Sequence, residues 1–425
     1  MSPALPSLPY GRHAVDQDDI DAVTAVLRGD WLTTGPVVGA FESALAERCG
    51  ASHAVSCANG TAALHLACLA LGIGPGDTAI VPSITFVATA NAARLVGAEI
   101  VFADVDPDSG LMEAAHLTEA IDRARRSGRR PAVVLPVHLG GQCGDLASLS
   151  ALARRHGLRI IEDACHAIGS AFRRGNGPPR PIGSCSDSDL AVFSFHPVKT
   201  ITAGEGGAVM ARDAALAESL CRWRGHGIRR EPAEFTDEAA AFEGTVPNPW
   251  YYEMPEIGLN YRLSDINAAL ALSQLKKLDR FAEARRTLAA QYDQRLAELA
   301  PLIRPVARSP YALPVWHLYA VLIDFAALGT TRGQLMRALR EAGIGTQVHY
   351  IPVHRQPYYR RRYGEAQLPG ADAYYRRTLS LPLYVGMTSA DVDRVVDTLA
   401  ALLHRAGSGR RARRADAAPT WLTAG

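Results

Sequence analysis

Lys199 is the first residue whose type and surroundings suggest chemistry. It ends the segment 194–199 (Ser-Phe-His-Pro-Val-Lys), which follows an apolar run at 190–193 typical of a buried strand. The chain has 45 lysines and arginines, yet lysine occurs only at positions 199, 276 and 277. Because arginine does not lose its proton, a lysine kept in an apolar segment suggests an amine that deprotonates and forms an imine. A surface lysine that extends its amine into water fits this segment equally well.

Polar residues follow two other predicted strands in a similar way. Residues 58–61 (Ala-Asn-Gly-Thr) join a predicted strand at 53–57 to a helical pattern at 62–71. Free backbone N–H groups and the helix dipole favour an anion at such a turn, although many turns of this kind bind nothing. Asp163 follows an apolar strand at 158–162. Its carboxylate either caps the next segment or hydrogen-bonds the ring nitrogen of a bound pyridine and keeps that ring protonated.

An alternation of strand and helix patterns positions these residues. Strand patterns lie at 53–57, 78–86, 99–103, 132–137, 158–162 and 190–193, with helical patterns between them at 62–71, 87–96, 114–126 and 145–156. This order predicts a parallel sheet covered by helices on both faces, and ligands collect at the carboxyl ends of its strands. Four strand ends would bring Asn59 to Thr61, Thr85 and Phe86, Asp163, and Ser194 to Lys199 to one edge. That convergence favours the functional interpretation, in which Lys199 and Asp163 act on one pyridine ring.

Length and composition bound the class of protein. A chain of 425 residues that is 48% hydrophobic and 21% charged is typical of a soluble enzyme with two domains. A net charge of +2 gives no reason to expect nucleic acid or a membrane surface as a partner. The seven cysteines form no Cys-x-x-Cys pair, so we expect reduced thiols and a cytoplasmic location. The first residues lack a signal-peptide pattern, and no stretch is apolar enough to span a bilayer.

Five segments together resemble the DegT-type sugar aminotransferases. They are residues 59–63 (Asn-Gly-Thr-Ala-Ala), 85–91 (Thr-Phe-Val-Ala-Thr-Ala-Asn), 162–166 (Glu-Asp-Ala-Cys-His), 193–199 and 258–262 (Gly-Leu-Asn-Tyr-Arg). The resemblance extends from about residue 10 to about residue 404. It implies an α/β enzyme of the pyridoxal-phosphate-dependent transferase fold type I, with a mainly parallel seven-stranded sheet in a large domain and a smaller C-terminal α/β domain. We expect the large domain at 12–265, the small one at 266–404 and a disordered tail at 405–425.

The resemblance also implies a set of residues that bind pyridoxal 5′-phosphate. Lys199 would carry the covalent link to the cofactor, Asp163 would pair with the pyridine nitrogen, and His166 would lie near the ring hydroxyl. Phe86 would stack on the ring. The phosphate would be held by Gly60, Thr61, Ser194 and, from the neighbouring subunit of a homodimer, Asn260.

A closer similarity, to family members that act in pseudaminic acid biosynthesis, indicates a substrate. Residues 30–35, 196–198, 273–277 and 347–352 resemble those members. The similarity implies transfer of an amino group from L-glutamate, through pyridoxamine phosphate, to C4 of a UDP-linked 2-acetamido-2,6-dideoxy-4-ketohexose. The product would be UDP-4-amino-4,6-dideoxy-N-acetyl-β-L-altrosamine. The residues expected to contact the nucleotide-sugar are Tyr10, Asp30, Trp31, Leu32, Thr33, Gln347, Val348, His349 and Tyr350.

Other functions stay open at this point. A GDP- or dTDP-linked 4-ketosugar, or a 3-ketosugar, fits the same cofactor residues. Sugar dehydratases of this fold replace the lysine with histidine, so Lys199 argues against that class. A non-catalytic relative that has kept the fold is the third alternative. His349 and His354 lack further ligands at suitable spacing, so we expect no metal site. Two segments depart from the family pattern without touching the cofactor motifs: an insertion at 228–256, which is able to alter the sugar pocket, and an extra tail at 407–425.

Overall fold

The computed structural model describes residues 6–415 of the chain, with side chains to residue 403. The α-helices are α1 (Gln17–Leu27), α2 (Pro36–Cys49), α3 (Gly60–Ala70), α4 (Val87–Leu95), α5 (Ala114–Arg126), α6 (Leu146–Arg155), α7 (Ala214–Arg224), α8 (Glu238–Ala241), α9 (Asp265–Lys276), α10 (Leu278–Leu296), α11 (Phe325–Leu328), α12 (Arg332–Glu341), α13 (Pro357–Tyr363), α14 (Pro369–Arg377) and α15 (Ser389–Ala415). Short 3-10 helices lie at Leu139–Gly141, Pro232–Glu234, Ala297–Leu299 and Val353–Arg355.

The strands build one large sheet and three small ones. They are β1 (His53–Cys57), β2 (Asp77–Pro82), β3 (Glu99–Ala103), β4 (Arg130–Val134), β5 (Arg159–Asp163), β6 (Ala171–Phe172), β7 (Arg180–Pro181), β8 (Leu190–Ser194), β9 (Gly207–Ala211), β10 (Phe242–Glu243), β11 (Val246–Pro247), β12 (Ile303–Pro305), β13 (Ala312–Leu313), β14 (Tyr319–Ile323) and β15 (Thr378–Leu381). The large sheet has seven strands in the order β1-β9-β8-β5-β4-β2-β3.

The large sheet is mainly parallel, as the sequence predicts. Strands β8, β5, β4, β2 and β3 pair in parallel, and only β9 runs antiparallel to both of its neighbours. Because β1 pairs antiparallel with β9, it points in the same direction as the five parallel strands. The carboxyl ends of β1, β5 and β8 therefore meet at one edge of the sheet.

Helices cover both faces of this sheet, which explains the continuous apolar strands. In β2, Ala79 and Val81 pack in the cluster that contains α3 and α4, whereas Ile80 packs in the cluster that contains α5 and α6. In β8, Val192 faces the first cluster, and Phe193 packs with α2 and α9. Successive side chains of a strand point to opposite faces, so a strand buried on both faces needs apolar residues at every position.

The C-terminal part of the chain has its own core. Strands β12, β14 and β15 form an antiparallel sheet, and helices α10, α12 and α15 pack against it. The buried residues of this core lie between Leu288 and Leu399, joined by Leu8 from the N-terminal segment. The division at residues 265 and 266 stays a prediction; helix α9, which begins there, packs against α1 and α2 of the large domain.

Two other segments bear on the sequence predictions. Helix α15 continues to Ala415 and so enters the segment 405–425, where composition predicts disorder; residues 416–425 lie outside the described residues. Alanine and arginine at 410–415 favour a helix, whereas Gly407 and Gly409 disfavour one, and the predicted disorder of the tail stays a prediction. The insertion at 228–256 forms a small lobe in which the Glu253 carboxylate accepts hydrogen bonds from Thr236 and Asp237. No helix within residues 6–415 is long and apolar enough to cross a membrane.

A buried carboxylate of helix α9 binds the start of helix α2. Helix α2 begins after Gly35, which has no side chain to cap it, and Asp265 of α9 accepts hydrogen bonds from the backbone N–H groups of Gly35 (2.7 Å) and Val37 (3.0 Å). The side chain of Asp265 is fully buried. It thus satisfies two donors that the start of a helix otherwise leaves unpaired.

We predict that Asp265→Ala lowers the free energy of unfolding by about 1–3 kcal/mol, because two partly buried N–H groups lose their acceptor. Urea denaturation at a fixed cofactor concentration measures this loss. Asp122→Ala, at an exposed position of α5, is the matched control and should change stability by no more than about 0.5 kcal/mol. Equal effects of the two variants would contradict the capping role.

Candidate active site

A cavity of about 950 Å³ opens at the carboxyl edge of the large sheet. Among the residues that the sequence predicts for the site, those that line the cavity are Tyr10, Gly60, Thr61, Phe86, Asp163, His166, Ser194, Lys199, Asn260, Gln347, Val348, His349 and Tyr350. They come from strand ends of the large sheet, from the N-terminal segment and from the loop before Val353. The structure thus brings together the groups expected to hold the cofactor.

The N-terminus of α3 forms one wall. Asn59 caps this helix by accepting a hydrogen bond from the backbone N–H of Ala62 (2.9 Å). A Cβ atom on Gly60 would lie 2.8 Å from the Cβ of Ser194, so only glycine lets the start of α3 approach that serine. Free N–H groups of the first turn, the helix dipole and the Ser194 hydroxyl therefore face the same space. This arrangement suits a phosphate group.

Asp163 is held firmly at the end of β5. Its side chain is buried; Oδ2 accepts a hydrogen bond from the Thr89 hydroxyl (2.6 Å) and Oδ1 accepts one from the backbone N–H of Cys165 (3.2 Å). Its backbone N–H donates to the carbonyl of Pro136 (2.9 Å), and its carbonyl accepts from the N–H of His138 (3.0 Å). The carboxylate consequently has a fixed orientation at the cavity wall, as a partner for a protonated ring nitrogen requires.

Lys199 is partly buried in the loop that follows β8, where its backbone N–H donates to the carbonyl of His196 (2.8 Å). Burial lowers the pKa of the Lys199 amine below its usual value of 10.5, and the nearby Cys165 and Asp163 only partly oppose this effect. Within the described part of the chain, it is the only lysine or arginine that lines the cavity. A neutral amine is the form that attacks a carbonyl carbon and accepts a proton.

Three histidines that line the cavity near Lys199 are uncharged at neutral pH. Burial, with a smaller effect of the Lys199 charge, lowers the pKa of His349 to about 3, and burial is also the main reason that the pKa values of His166 and His317 lie well below 6.5. His349 is fixed by a hydrogen bond of 2.8 Å between Nδ1 and the Ser380 hydroxyl. These side chains therefore provide hydrogen-bonding groups at neutral pH without adding positive charge beside the lysine.

Phe86 and Tyr10 lie at the rim of the cavity. The ring of Phe86 is 56% exposed and stands 6.0 Å from that of Tyr350, so one of its faces remains free for a flat ligand. The ring of Tyr10 lies 5.7 Å from that of His349. Gln347 is tied to Ser380 by two backbone hydrogen bonds, which fix the segment 347–350 along the cavity.

Residues 30–33 are not brought to this cavity within one chain. Asp30 and Trp31 line a second cavity of about 710 Å³, together with Lys276 and Lys277 of α9. Leu32 and Thr33 instead contact the start of α9 through their backbone. The prediction that these four residues contact the nucleotide-sugar stays a prediction.

Asn260 lines the cavity that contains Lys199 of the same chain. The backbone explains this position, because the carbonyl of Tyr261 accepts a hydrogen bond from the N–H of Ala58 (2.8 Å), directly before the turn at Asn59. The contact with the cofactor phosphate of the neighbouring subunit, which the resemblance implies, stays a prediction.

Sequence reasoning missed two residues of the site. Thr89 lies one turn after Phe86 on α4, and that spacing was the available signal that its hydroxyl faces the cavity. His317 carries no such signal, because its neighbours come from distant parts of the chain. Its ring lies 4.4 Å from that of His166, its backbone N–H donates to the carbonyl of Gly140 (2.9 Å), and its Nδ1 has no hydrogen-bond partner among the described residues.

Comparison with known proteins identifies the class to which this fold and site belong. Residues 13–400 match the DegT/DnrJ/EryC1/StrS aminotransferase family. The chain is 38% identical over 395 residues to the spore coat polysaccharide biosynthesis protein SpsC of Bacillus subtilis (strain 168), covering 92% of this chain and 96% of that protein. The chain belongs to this family and is a sugar aminotransferase that uses pyridoxal phosphate.

Solved structures agree with this assignment. PseC of Helicobacter pylori, an aminotransferase of pseudaminic acid biosynthesis, superposes with a TM-score of 0.82 at 28% identity, covering 94% of this chain and 100% of that one. The pyridoxal-phosphate form of the putative sugar aminotransferase Spr1654 of Streptococcus pneumoniae also gives a TM-score of 0.82, at 26% identity, covering 94% and 99% of the two chains. The anion-binding turn, the fixed carboxylate and the buried amine described above fit this cofactor.

We predict that, in the protein freed of cofactor, Lys199 reacts with trace amounts of acetic anhydride along a pH curve whose midpoint lies below 10.5. The protonated amine does not react, and burial disfavours the protonated form, so the reactive form appears at lower pH. Mass spectrometry of the Lys199 peptide measures the rate at each pH. The exposed Lys276 reports reagent access in the same sample, and a Lys199 midpoint at or above 10.5 would contradict the effect of burial.

Proposed function

We propose that this enzyme transfers the amino group of L-glutamate to C4 of a UDP-linked 2-acetamido-2,6-dideoxy-4-ketohexose, which yields UDP-4-amino-4,6-dideoxy-N-acetyl-β-L-altrosamine for pseudaminic acid biosynthesis. The observation that carries the transamination is the meeting of Lys199 and Asp163 in one cavity. The similarity to PseC, which extends over 94% of this chain, supports the choice of sugar.

Each part of the cavity then has a role in holding the cofactor. The N–H groups at Gly60 and Thr61, with the Ser194 hydroxyl, would bind its phosphate. Phe86 would stack on its ring, and Asp163 would bond the ring nitrogen. The protonated pyridine ring supplies an electron sink for the carbanion formed at the amino-acid α-carbon.

Lys199 performs the proton transfers. Its amine would hold the cofactor covalently. Because this amine is held out of water and loses its proton readily, it would accept a proton from the α-carbon of the amino donor. With the ketosugar in the cavity, the same amine would move a proton in the opposite direction. Arginine is not able to do this, since its guanidinium does not deprotonate.

The sugar side of the cavity is formed by Tyr10 and the segment 347–350. These residues offer aromatic faces, an amide and a hydroxyl beside the amine, a combination suited to a polyhydroxylated ring. We propose that they contact the nucleotide-sugar, together with residues 30–33, which line or flank the second cavity.

A second candidate is amination of a different nucleotide-linked 4- or 3-ketosugar, carried for example by GDP or dTDP. The 38% identity to SpsC, a protein of spore coat polysaccharide biosynthesis, favours this alternative. Lys199 argues against a sugar dehydratase, because dehydratases of this fold have a histidine in place of the lysine.

We further propose a homodimer that works in the cytoplasm. The resemblance to the family supports the dimer. The cytoplasmic location is supported by the cysteines, since Cys49, Cys57, Cys68, Cys143 and Cys185 are buried as free thiols. Such thiols are typical of proteins in reducing compartments.

Replacement of the catalytic amine tests the mechanism. We expect Lys199→Arg to fold but to lose the visible absorbance of lysine-bound cofactor and to lower kcat at least about 10²-fold, the lower end for a lost acid–base group. Absorbance spectra and turnover with glutamate measure both effects. Arg126→Lys, at an exposed position of α5 away from both cavities, should keep the absorbance and the rate. Retained turnover in Lys199→Arg would refute the role of this lysine.

The substrate is tested by incubating the enzyme with glutamate and a panel of nucleotide ketosugars. We expect the UDP-linked 2-acetamido-2,6-dideoxy-4-ketohexose to give the highest kcat/KM, with the new amino group at C4. Mass spectrometry and NMR identify the product. An amino group at C3, or reaction only with GDP- or dTDP-linked sugars, would move the enzyme to the second candidate.

A further inference from the structure

A histidine and a glutamate form a buried pair on the face of the large sheet that points away from the cavity. Nε2 of His138 lies 2.7 Å from Oε2 of Glu162, and the hydroxyl of Ser188 donates to Oε1 of the same carboxylate. All three side chains are buried. Successive residues of a strand point to opposite faces, so Glu162 faces away from the cavity that its neighbour Asp163 lines. The pair therefore lies directly behind Asp163.

The backbone joins this pair to Asp163. The N–H of His138 donates to the carbonyl of Asp163 (3.0 Å), and the N–H of Asp163 donates to the carbonyl of Pro136 (2.9 Å). These bonds continue the pairing of β4 and β5 beyond the regular strand β4. Because Pro136 has no N–H, the ladder lacks one hydrogen bond just before Asp163. The side-chain bond between His138 and Glu162 is an additional tie between the same two strand ends.

A polar pair is not the most stable way to fill this space. A buried carboxylate needs partners for its oxygens, and Glu162 has them in His138 and Ser188. Apolar side chains of similar volume in place of a buried charged pair are often as stable or more so. They would not fix the relative position of two strand ends, because hydrophobic contacts have no direction. A hydrogen bond does so, since it prefers one distance and one angle.

We propose that His138 and Glu162 are positioning residues for Asp163. Their bond fixes the end of β5, and thereby the backbone from which the Asp163 carboxylate would reach the ring nitrogen of the cofactor. Thr89 has a different role, because its hydroxyl orients the carboxylate itself. The inference rests on the proposed pairing of Asp163 with the ring nitrogen, and it does not depend on which ketosugar is the substrate.

Replacement of the whole polar set tests this role without leaving a buried charge unpaired. In the variant that combines His138→Leu, Glu162→Met and Ser188→Ala, we expect the urea midpoint to stay near that of the wild type. The Kd for pyridoxal phosphate should rise about fivefold or more, since Asp163 is no longer held in place. With ¹⁵N-labelled cofactor, NMR should show the ring-nitrogen resonance displaced toward that of an unprotonated pyridine. If both cofactor readings stay as in the wild type, the pair only stabilises the fold and the proposal is overturned.

Two further variants separate positioning from a general loss of stability. Leu117→Ala removes part of the core between α5 and the sheet, so it should lower the urea midpoint and leave both cofactor readings unchanged. His138→Gln, whose amide again donates to Glu162, should restore most of the wild-type Kd. A ring-nitrogen displacement in Leu117→Ala equal to that of the triple variant would contradict positioning. So would a Kd in His138→Gln as high as that of the triple variant.

Asp163→Asn distinguishes a failure of this inference from a failure of the proposed function. It removes the charge expected at the ring nitrogen, so it should displace the resonance further than the triple variant does. Adding the three substitutions to Asp163→Asn should change neither reading further, because they act through Asp163. If only Asp163→Asn displaces the resonance, the proposed pairing stands and the positioning role is overturned. If neither variant displaces it, the pairing fails and this inference fails with it.

Discussion

Withdrawal of one lysine amine from water is the constraint on which the rest of the site depends. A charged amine at Lys199 loses hydration when it is buried, and this loss costs free energy. Burial therefore shifts the protonation equilibrium of the amine toward the neutral form and lowers its pKa. The surrounding wall preserves this effect, because His166, His317 and His349 add hydrogen-bonding groups that remain uncharged at neutral pH. Asp163 contributes to the cavity wall a carboxylate that two hydrogen bonds hold in place.

The sheet provides the geometry that this chemistry needs. Parallel strands end at one edge, so residues far apart in the chain arrive there on rigid supports, while the apolar strands behind them exclude water. Asp163 and Ser194 lie at the ends of adjacent strands, and Gly60 allows α3 to approach Ser194 closely. Differences between family members can then lie in the loops, as the insertion at 228–256 illustrates.

The strand-end residues were predictable, because a local rule places them. An apolar run followed by a polar residue is enough to put Asp163 and Lys199 at the carboxyl edge, and the parallel sheet follows from the alternation of strands and helices. Contacts between distant segments were not predictable in this way. Three features depend on how loops fold over the sheet, and no short sequence pattern predicts that folding. They are the hydrogen bond between His166 and Tyr350, the separation of Trp31 from Lys199 and the position of Asn260.

Reduction with borohydride, followed by peptide mapping, tests the central claim most directly. The reagent fixes the cofactor to whichever amine holds it, and the chain offers only three lysines, at positions 199, 276 and 277. The account predicts that the peptide containing Lys199 gains the mass of one phosphopyridoxyl group and that the peptides containing Lys276 and Lys277 do not. A label on Lys276 or Lys277, or no label on any lysine of the cofactor-loaded enzyme, would contradict it.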